Sequence, residues 1–160
     1  MDKLRIYLDT NIIFGLFKKF VERLLEDKEF KIPRKIQFIH ENLEKVEPLT
    51  SFFTLIEVIQ NLKNWAEKRG RKLTSEEIVS LIEFFRENFK VEVLRSVWIT
   101  EGTIQYVLHG IDWKDAIQLE IARVNDYILV TDDVKLRKIG KKFYDKIMSF
   151  RELRMKLERF

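Results

Sequence analysis

Leu4-Arg5-Ile6-Tyr7-Leu8-Asp9-Thr10-Asn11-Ile12-Ile13-Phe14-Gly15-Leu16-Phe17 is the stretch whose reading decides the fold. Leu4–Asp9 is a short apolar run of strand length, and Thr10–Phe20 continues at helical spacing, with Val21–Glu29 as its extension. Strand passes directly into helix, with a single carboxylate at the junction. Downstream, helices are expected over Arg34–Val46 (between the breakers Pro33 and Pro48), Phe52–Arg69 (ended by Gly70) and from the Thr74–Glu77 capping box to Asn88. Val91–Leu94 reads as a strand, Thr100–Leu108 and Trp113–Val124 as helices, and Tyr127–Thr131 as a buried strand. Lys135–Ile139 reads as a short helix, Ile147–Phe150 as a last strand, and Ser149 with Glu152 as the cap of a terminal helix. Strands separated by helices predict an α/β fold with a mainly parallel sheet. In such sheets sites form outside the carboxyl ends of the strands.

Composition removes several chemistries. The 160 residues include no Cys, which excludes a disulfide scaffold, a thiol nucleophile and a Cys-based zinc site. The two His residues, His40 and His109, lie far apart, so a His-rich metal site or a Ser-His-Asp triad is not expected. No apolar run reaches the roughly 18 residues of a membrane span, and a strand pattern starts at once, so no secretory signal is expected. The expectation is one domain over residues 1–160, cytoplasmic, with no membrane partner. No Gly-x-x-x-x-Gly-Lys or Gly-x-Gly-x-x-Gly loop is present.

Charge is unevenly spread. Lys and Arg total 30 and Asp and Glu 26, yet residues 135–160 carry a net +7 and the rest of the chain −3. A basic segment on a less basic body is what a polyanion uses, and a solvated helix face is the commoner cause. Lys135, Arg137, Lys138, Lys141 and Lys142 are the candidates for a polyanion's phosphates, since their helix follows directly on a pair of acids. Trp65, Trp98 and Trp113 read first as core or interface residues, with base stacking as the alternative.

The acids matter most where other charges are missing. At 35% charged, the twelve residues Ile6–Phe17 should hold about four charges and hold one, Asp9. The fifteen residues Pro48–Leu62 should hold about five and hold one, Glu57. A lone carboxylate in an apolar stretch needs donors, a cation or a function. Asp112 and Asp115 are three apart at the start of a helix, hence on one face. Asp132 and Asp133 follow an apolar strand. Each has a structural explanation: Asp9 and Asp133 as helix caps, Thr54 with Glu57 and Asp112 with Asp115 as capping boxes. Jointly they place acids around one sheet edge, where they repel unless a divalent cation neutralises them. Oxygen donors alone suit Mg²⁺ or Mn²⁺, and such clusters activate water and clamp a phosphodiester.

The set resembles a known family. Tyr7-Leu8-Asp9-Thr10-Asn11-Ile12-Ile13 is similar to the opening motif of PIN-domain nucleases, including VapC-type toxins. In order, Phe53-Thr54-Leu55-Ile56-Glu57-Val58 resembles the second acidic motif, and Asp115-Ala116-Ile117 with Ala122 the third. Leu129-Val130-Thr131-Asp132-Asp133 resembles the fourth, a Thr, any residue, then Asp. The resemblance spans nearly the whole chain. It implies a three-layer α/β/α sandwich and Mg²⁺- or Mn²⁺-dependent endoribonuclease activity. It also implies homodimers and, for a toxin, an antitoxin partner. By motif position Asp9, Glu57, Asp115 and Asp133 are the metal-binding acids, Thr131 a supporting polar residue, and Asn11 the small polar position after the first acid. Asp112 and Asp132 read first as a cap and a local charge, and second as outer acids of the metal site. The rival reading is a non-catalytic RNA- or protein-binding module on a nuclease-like fold. A haloacid-dehalogenase-type phosphohydrolase is set aside because Asn11 stands where its second acid belongs.

Overall fold

A computed structural model describes residues 2–26, 29–97 and 99–160. The elements run β1 (Leu4–Leu8), α1 (Thr10–Glu26), α2 (Arg34–Glu41), β2 (Val46–Ser51), α3 (Phe52–Glu67), α4 (Ser75–Phe89), β3 (Glu92–Leu94), α5 (Glu101–Leu108), α6 (Trp113–Val124), β4 (Ile128–Val130), α7 (Val134–Gly140), β5 (Ile147–Met148) and α8 (Phe150–Leu157). The strands form one five-stranded sheet in the order β3-β2-β1-β4-β5, and all four pairings are parallel.

Alternation along the central strands explains the three layers. Ile6 and Leu8 of β1 and Ile128 and Val130 of β4 face a core built with α1, α2, α3, α4 and α8. Tyr7 and Leu129 point to the opposite face, where α5, α6 and α7 pack. With both faces covered, these strands read as continuous apolar runs rather than half-polar ones. Truncating a fully buried residue such as Leu8 to Ala costs about 2–5 kcal/mol.

β1 lies between β2 and β4, so the chain winds one way through β2 and β3 and the other way through β4 and β5. Leu8 is in register with Val130, which brings the next residues, Asp9 and Thr131, side by side at the carboxyl edge. That edge is the topological switch point, the place where α/β sheets bind ligands.

Several expectations about elements need correction. The expected helix Arg34–Val46 stops at Glu41, and Val46 instead opens β2, with Pro48 inside it. A proline without an N–H is normally kept out of an inner strand. Here the Lys45 carbonyl bonds β1 through the Leu4 N–H. Alternation therefore turns the Pro48 nitrogen toward β3, whose pairing starts only at Leu49. The expected strand Ile147–Phe150 is cut to two residues because Ser149 caps α8, with Glu152 closing the box. The extension Val21–Glu29 is helical to Glu26, and its residues 27–28 lie outside the described residues. Gly70 and Gly110 end their helices at φ +74° and +94°, angles that a side chain disfavours. Among the described residues no helix is long and apolar enough to cross a membrane.

Candidate metal and nuclease site

Each acid reaches the carboxyl edge by its own element. Asp9 follows β1, is 6% exposed, and divides its oxygens. Oδ1 accepts the Ile12 N–H at 3.3 Å as a helix cap, and Oδ2 accepts the Thr131 hydroxyl at 2.5 Å from the end of β4. Capping is thus half of what Asp9 does. Burial pushes its pKa up to about 6 against the pull of the Thr131 hydroxyl and the Ile12 and Asn11 backbone N–H groups. Asn11 itself is exposed.

Glu57 stands on α3. The expected capping box of Thr54 with Glu57 does not form, because α3 begins earlier. Ser51 is the N-cap and receives the Thr54 N–H at 3.1 Å. The Thr54 hydroxyl pairs instead with the buried Tyr7 hydroxyl, 2.7 Å away. Glu57 Oε2 accepts the Thr10 hydroxyl at 2.8 Å and the Gln118 amide at 3.2 Å.

Asp112 and Asp115 open α6, again without a reciprocal box. Asp112 is the N-cap, accepting the Lys114 N–H at 3.0 Å. Asp115 accepts no hydrogen bond among the described residues. Burial comes first in raising its pKa to about 7, followed by the negative charges of Asp133, Asp112, Glu57 and Asp9. A carboxylate that feels four others is the electrostatic centre of the cluster.

After β4 the neighbouring acids divide. Asp133 caps α7, its Oδ1 accepting the Leu136 N–H at 2.8 Å, while its own N–H donates to Thr131 Oγ1 at 3.2 Å. Asp132 turns toward the opposite layer, where one oxygen pairs with Lys35 of α2 and the other accepts the Phe150 N–H of α8 at 3.1 Å. Its burial pushes the carboxyl upward, yet Lys35 and the Phe150 N–H outweigh it and hold it below the usual range. The structure therefore groups Asp9, Glu57, Asp112, Asp115 and Asp133, and engages Asp132 elsewhere.

Two residues of this edge have no place in the motif reading. Thr10 and Gln118 are both buried, and Gln118 Nε2 bonds Thr10 Oγ1 at 3.1 Å. The signal for Gln118 was present: it lies three after Asp115 on a helix otherwise apolar along that side.

Of the basic candidates, Arg137 and Lys141 lie 3.8 and 3.6 Å from Glu152 of α8. Lys135, Lys138 and Lys142 are exposed, with no carboxylate in salt-bridge range among the described residues. Trp113 is 55% exposed at the start of α6, edge-on to Phe53 with ring centroids 6.2 Å apart. Trp65 is half-buried beneath Arg69, and Trp98 lies outside the described residues. His40 and His109 are exposed helix-end residues packed edge-on against Phe89 and Phe143.

The donor set is hard oxygen only. Among the described residues no three of these acids are close enough to grip one ion without rearrangement. Oxygen donors of this kind suit a hard divalent cation in their chemistry. Burial raises both Asp9 and Asp115, with the Asp132 charge adding at Asp9 and the repulsion of four neighbouring acids adding at Asp115, and a cation relieves that repulsion.

Among solved structures the fold is similar to PAE2754 from Pyrobaculum aerophilum, with TM-score 0.56 and 15% identity over 98% of this chain and 97% of that one. It is also similar to VapBC-1 from nontypeable Haemophilus influenzae, with TM-score 0.57 and 20% identity over 92% of this chain and 99% of that one. At these identities the likeness is one of fold. No curated protein matches by sequence. The PIN domain model matches residues 6–142, a span that includes Asp9, Glu57, Asp115 and Asp133, and the chain belongs to the PIN domain family.

Proposed function

We propose that this chain is a Mg²⁺- or Mn²⁺-dependent endoribonuclease that hydrolyses phosphodiester bonds in single-stranded or unpaired RNA. PIN domains are generally nucleases that use divalent metals, and this chain carries an acid at each of the four motif positions. The observation that carries the reading is Asp115: a half-buried carboxylate whose charge is opposed by burial and by four other acids, with no salt bridge among the described residues. Such crowding is costly on physical grounds.

Asp9, Glu57, Asp115 and Asp133 would hold the ion. When bound, it supplies Lewis acidity toward the scissile phosphate and the attacking water. The chain's own residues set the geometry. Thr131 fixes one Asp9 oxygen, the α7 cap fixes one Asp133 oxygen, and Thr10 with Gln118 fixes one Glu57 oxygen. Asp112 stands at the margin as cap and added negative charge, and Asp132 serves the contact with α2 and α8. Lys135, Lys138 and Lys142 meet flanking phosphates, with Arg137 and Lys141 shared with Glu152. The exposed Trp113 supports an unpaired substrate, because a base needs to be unstacked to lie on it.

The likeness to VapBC-1 supports a toxin role, with an antitoxin protein and a second copy of the chain as partners and the cytoplasm as the place of action. A second reading, a non-catalytic RNA- or protein-binding module, is favoured by one observation, the lack of a ready three-acid grip among the described residues.

One experiment separates the two. Purified wild type and Asp9→Asn are incubated with an RNA panel in Mn²⁺ or EDTA. Wild type should cleave only with Mn²⁺, and Asp9→Asn should be slower by orders of magnitude with its fold intact. Equal cleavage by both proteins in Mn²⁺, or cleavage by both that persists in EDTA, refutes the nuclease assignment. Tight RNA binding by both without cleavage selects the binding module.

A further inference from the structure

Gln118 is a buried amide satisfied on one side only. It is 2% exposed. Its Nε2 donates to Thr10 Oγ1 at 3.1 Å and to Glu57 Oε2 at 3.2 Å. Its Oε1 is buried and has no hydrogen-bond partner among the described residues. The orientation is set by chemistry: turning the amide over would face its oxygen against the Glu57 carboxylate. Thr10 Oγ1 donates to the same Glu57 Oε2 at 2.8 Å. Two donors, from the first turn of α1 and the middle of α6, therefore converge on one oxygen of an acid carried by α3, and leave Glu57 Oε1 without either.

We propose that Gln118 and Thr10 are positioning residues that hold Glu57 by Oε2, so that Oε1 is presented to a divalent cation. This rests on the nuclease reading above. Groups that hydrogen-bond to a metal ligand fix its orientation, and losing one typically costs about 10–100-fold in metal affinity. The orphaned Gln118 carbonyl adds a thermodynamic argument. A buried acceptor with no donor destabilises a fold, and an apolar side chain of similar shape removes that penalty. An amide retained only for packing would be better replaced by Met. Holding Glu57 is what the amide does that Met cannot.

The two roles predict opposite signs. Metal-free Gln118→Met should unfold at a temperature equal to or above wild type, while its Mn²⁺ dissociation constant, read by calorimetry, rises about tenfold or more. Thr10→Ser keeps the hydroxyl and should keep wild-type affinity, whereas Thr10→Val should weaken it. A lower unfolding temperature for Gln118→Met with unchanged Mn²⁺ affinity overturns the inference and makes Gln118 a packing residue. Equal affinity for Thr10→Ser and Thr10→Val also overturns it. A wild type with no Mn²⁺ affinity overturns the nuclease reading and this inference together, so the two failures are told apart by the wild-type titration.

Discussion

The two ends of α6 hold acids in opposite circumstances. Asp115, in the first turn, is half-buried, accepts no hydrogen bond among the described residues, and has a pKa raised to about 7 by burial and four neighbouring carboxylates. Glu120, five residues later, is 0% exposed yet has its pKa lowered to about 2. Burial pushes Glu120 upward too, but Arg123, Tyr106 and Thr100 more than reverse it. Arg123 grips it with two nitrogens at 2.6 and 3.0 Å, and the Tyr106 and Thr100 hydroxyls donate at 2.6 and 2.7 Å. Partners, not depth, decide the sign. The more deeply buried acid is a finished structural device tying α5 to α6. The less buried one is incomplete, and incompleteness at the carboxyl edge of a parallel sheet is what marks a candidate site.

The largest effect on the fold should therefore come from the structural acid. Glu120→Ala leaves the Tyr106 and Thr100 hydroxyls without their acceptor, and should cost about 2 kcal/mol in denaturant unfolding while leaving Mn²⁺ affinity near wild type. If Glu120→Ala is neutral for stability, the contrast between the two ends fails. A smaller effect is expected at the margin of the site. Asp112→Ala should lose about 1 kcal/mol as a helix cap and weaken Mn²⁺ binding, measured by calorimetry, much less than Asp115→Ala does. The reverse ranking would exchange the roles of the pair.

The pH dependence sharpens the comparison further. Asp9 and Asp115 titrate near 6 and 7 in the fold against 3.8 for an unperturbed Asp, so their protonated forms favour folding. Their contribution to the metal-free protein is present below about pH 4 and is lost as pH rises through 6 and 7. Glu120 behaves oppositely: its contribution holds above about pH 4.5 and disappears as pH falls toward 2. Unfolding temperature in EDTA should fall from pH 5 to pH 8, and Asp115→Asn should flatten that fall. A slope identical in wild type and variant would show that Asp115 is not crowded.

Much of the placement of the candidate acids was legible because burying charge is costly. A single carboxylate in Ile6–Phe17 and another in Pro48–Leu62 stood out against a chain that is 35% charged. The positions of Asp9 and Asp133 after apolar strands placed them at the sheet edge. What stayed hidden depended on which partner wins a given polar atom. β2 was missed because Pro48 signals a break, and only the direction of its nitrogen relative to β1 and β3 makes it tolerable. The caps of α3 and α6 differed from expectation by the choice between neighbouring N–H groups. Glu120 was not singled out, since nothing in Ala116–Val124 says that Tyr106 and Thr100, from another helix and its cap, will meet it. Thr10 was missed for the same reason, its bond spanning 47 residues to Glu57, while the helical spacing of Gln118 from Asp115 put it on the right face without naming Glu57, 61 residues away, as its partner.

The central claim is that the crowded acids are kept for a divalent ion, and one measurement reads it directly. Unfolding temperatures of wild type and Asp115→Asn are compared at pH 8 in EDTA and in saturating Mn²⁺. An ion bound only by the folded state stabilises it by mass action. Wild type should therefore gain strongly from Mn²⁺, while Asp115→Asn should start higher in EDTA and gain little. A lower starting temperature for Asp115→Asn with an undiminished Mn²⁺ gain would contradict the account.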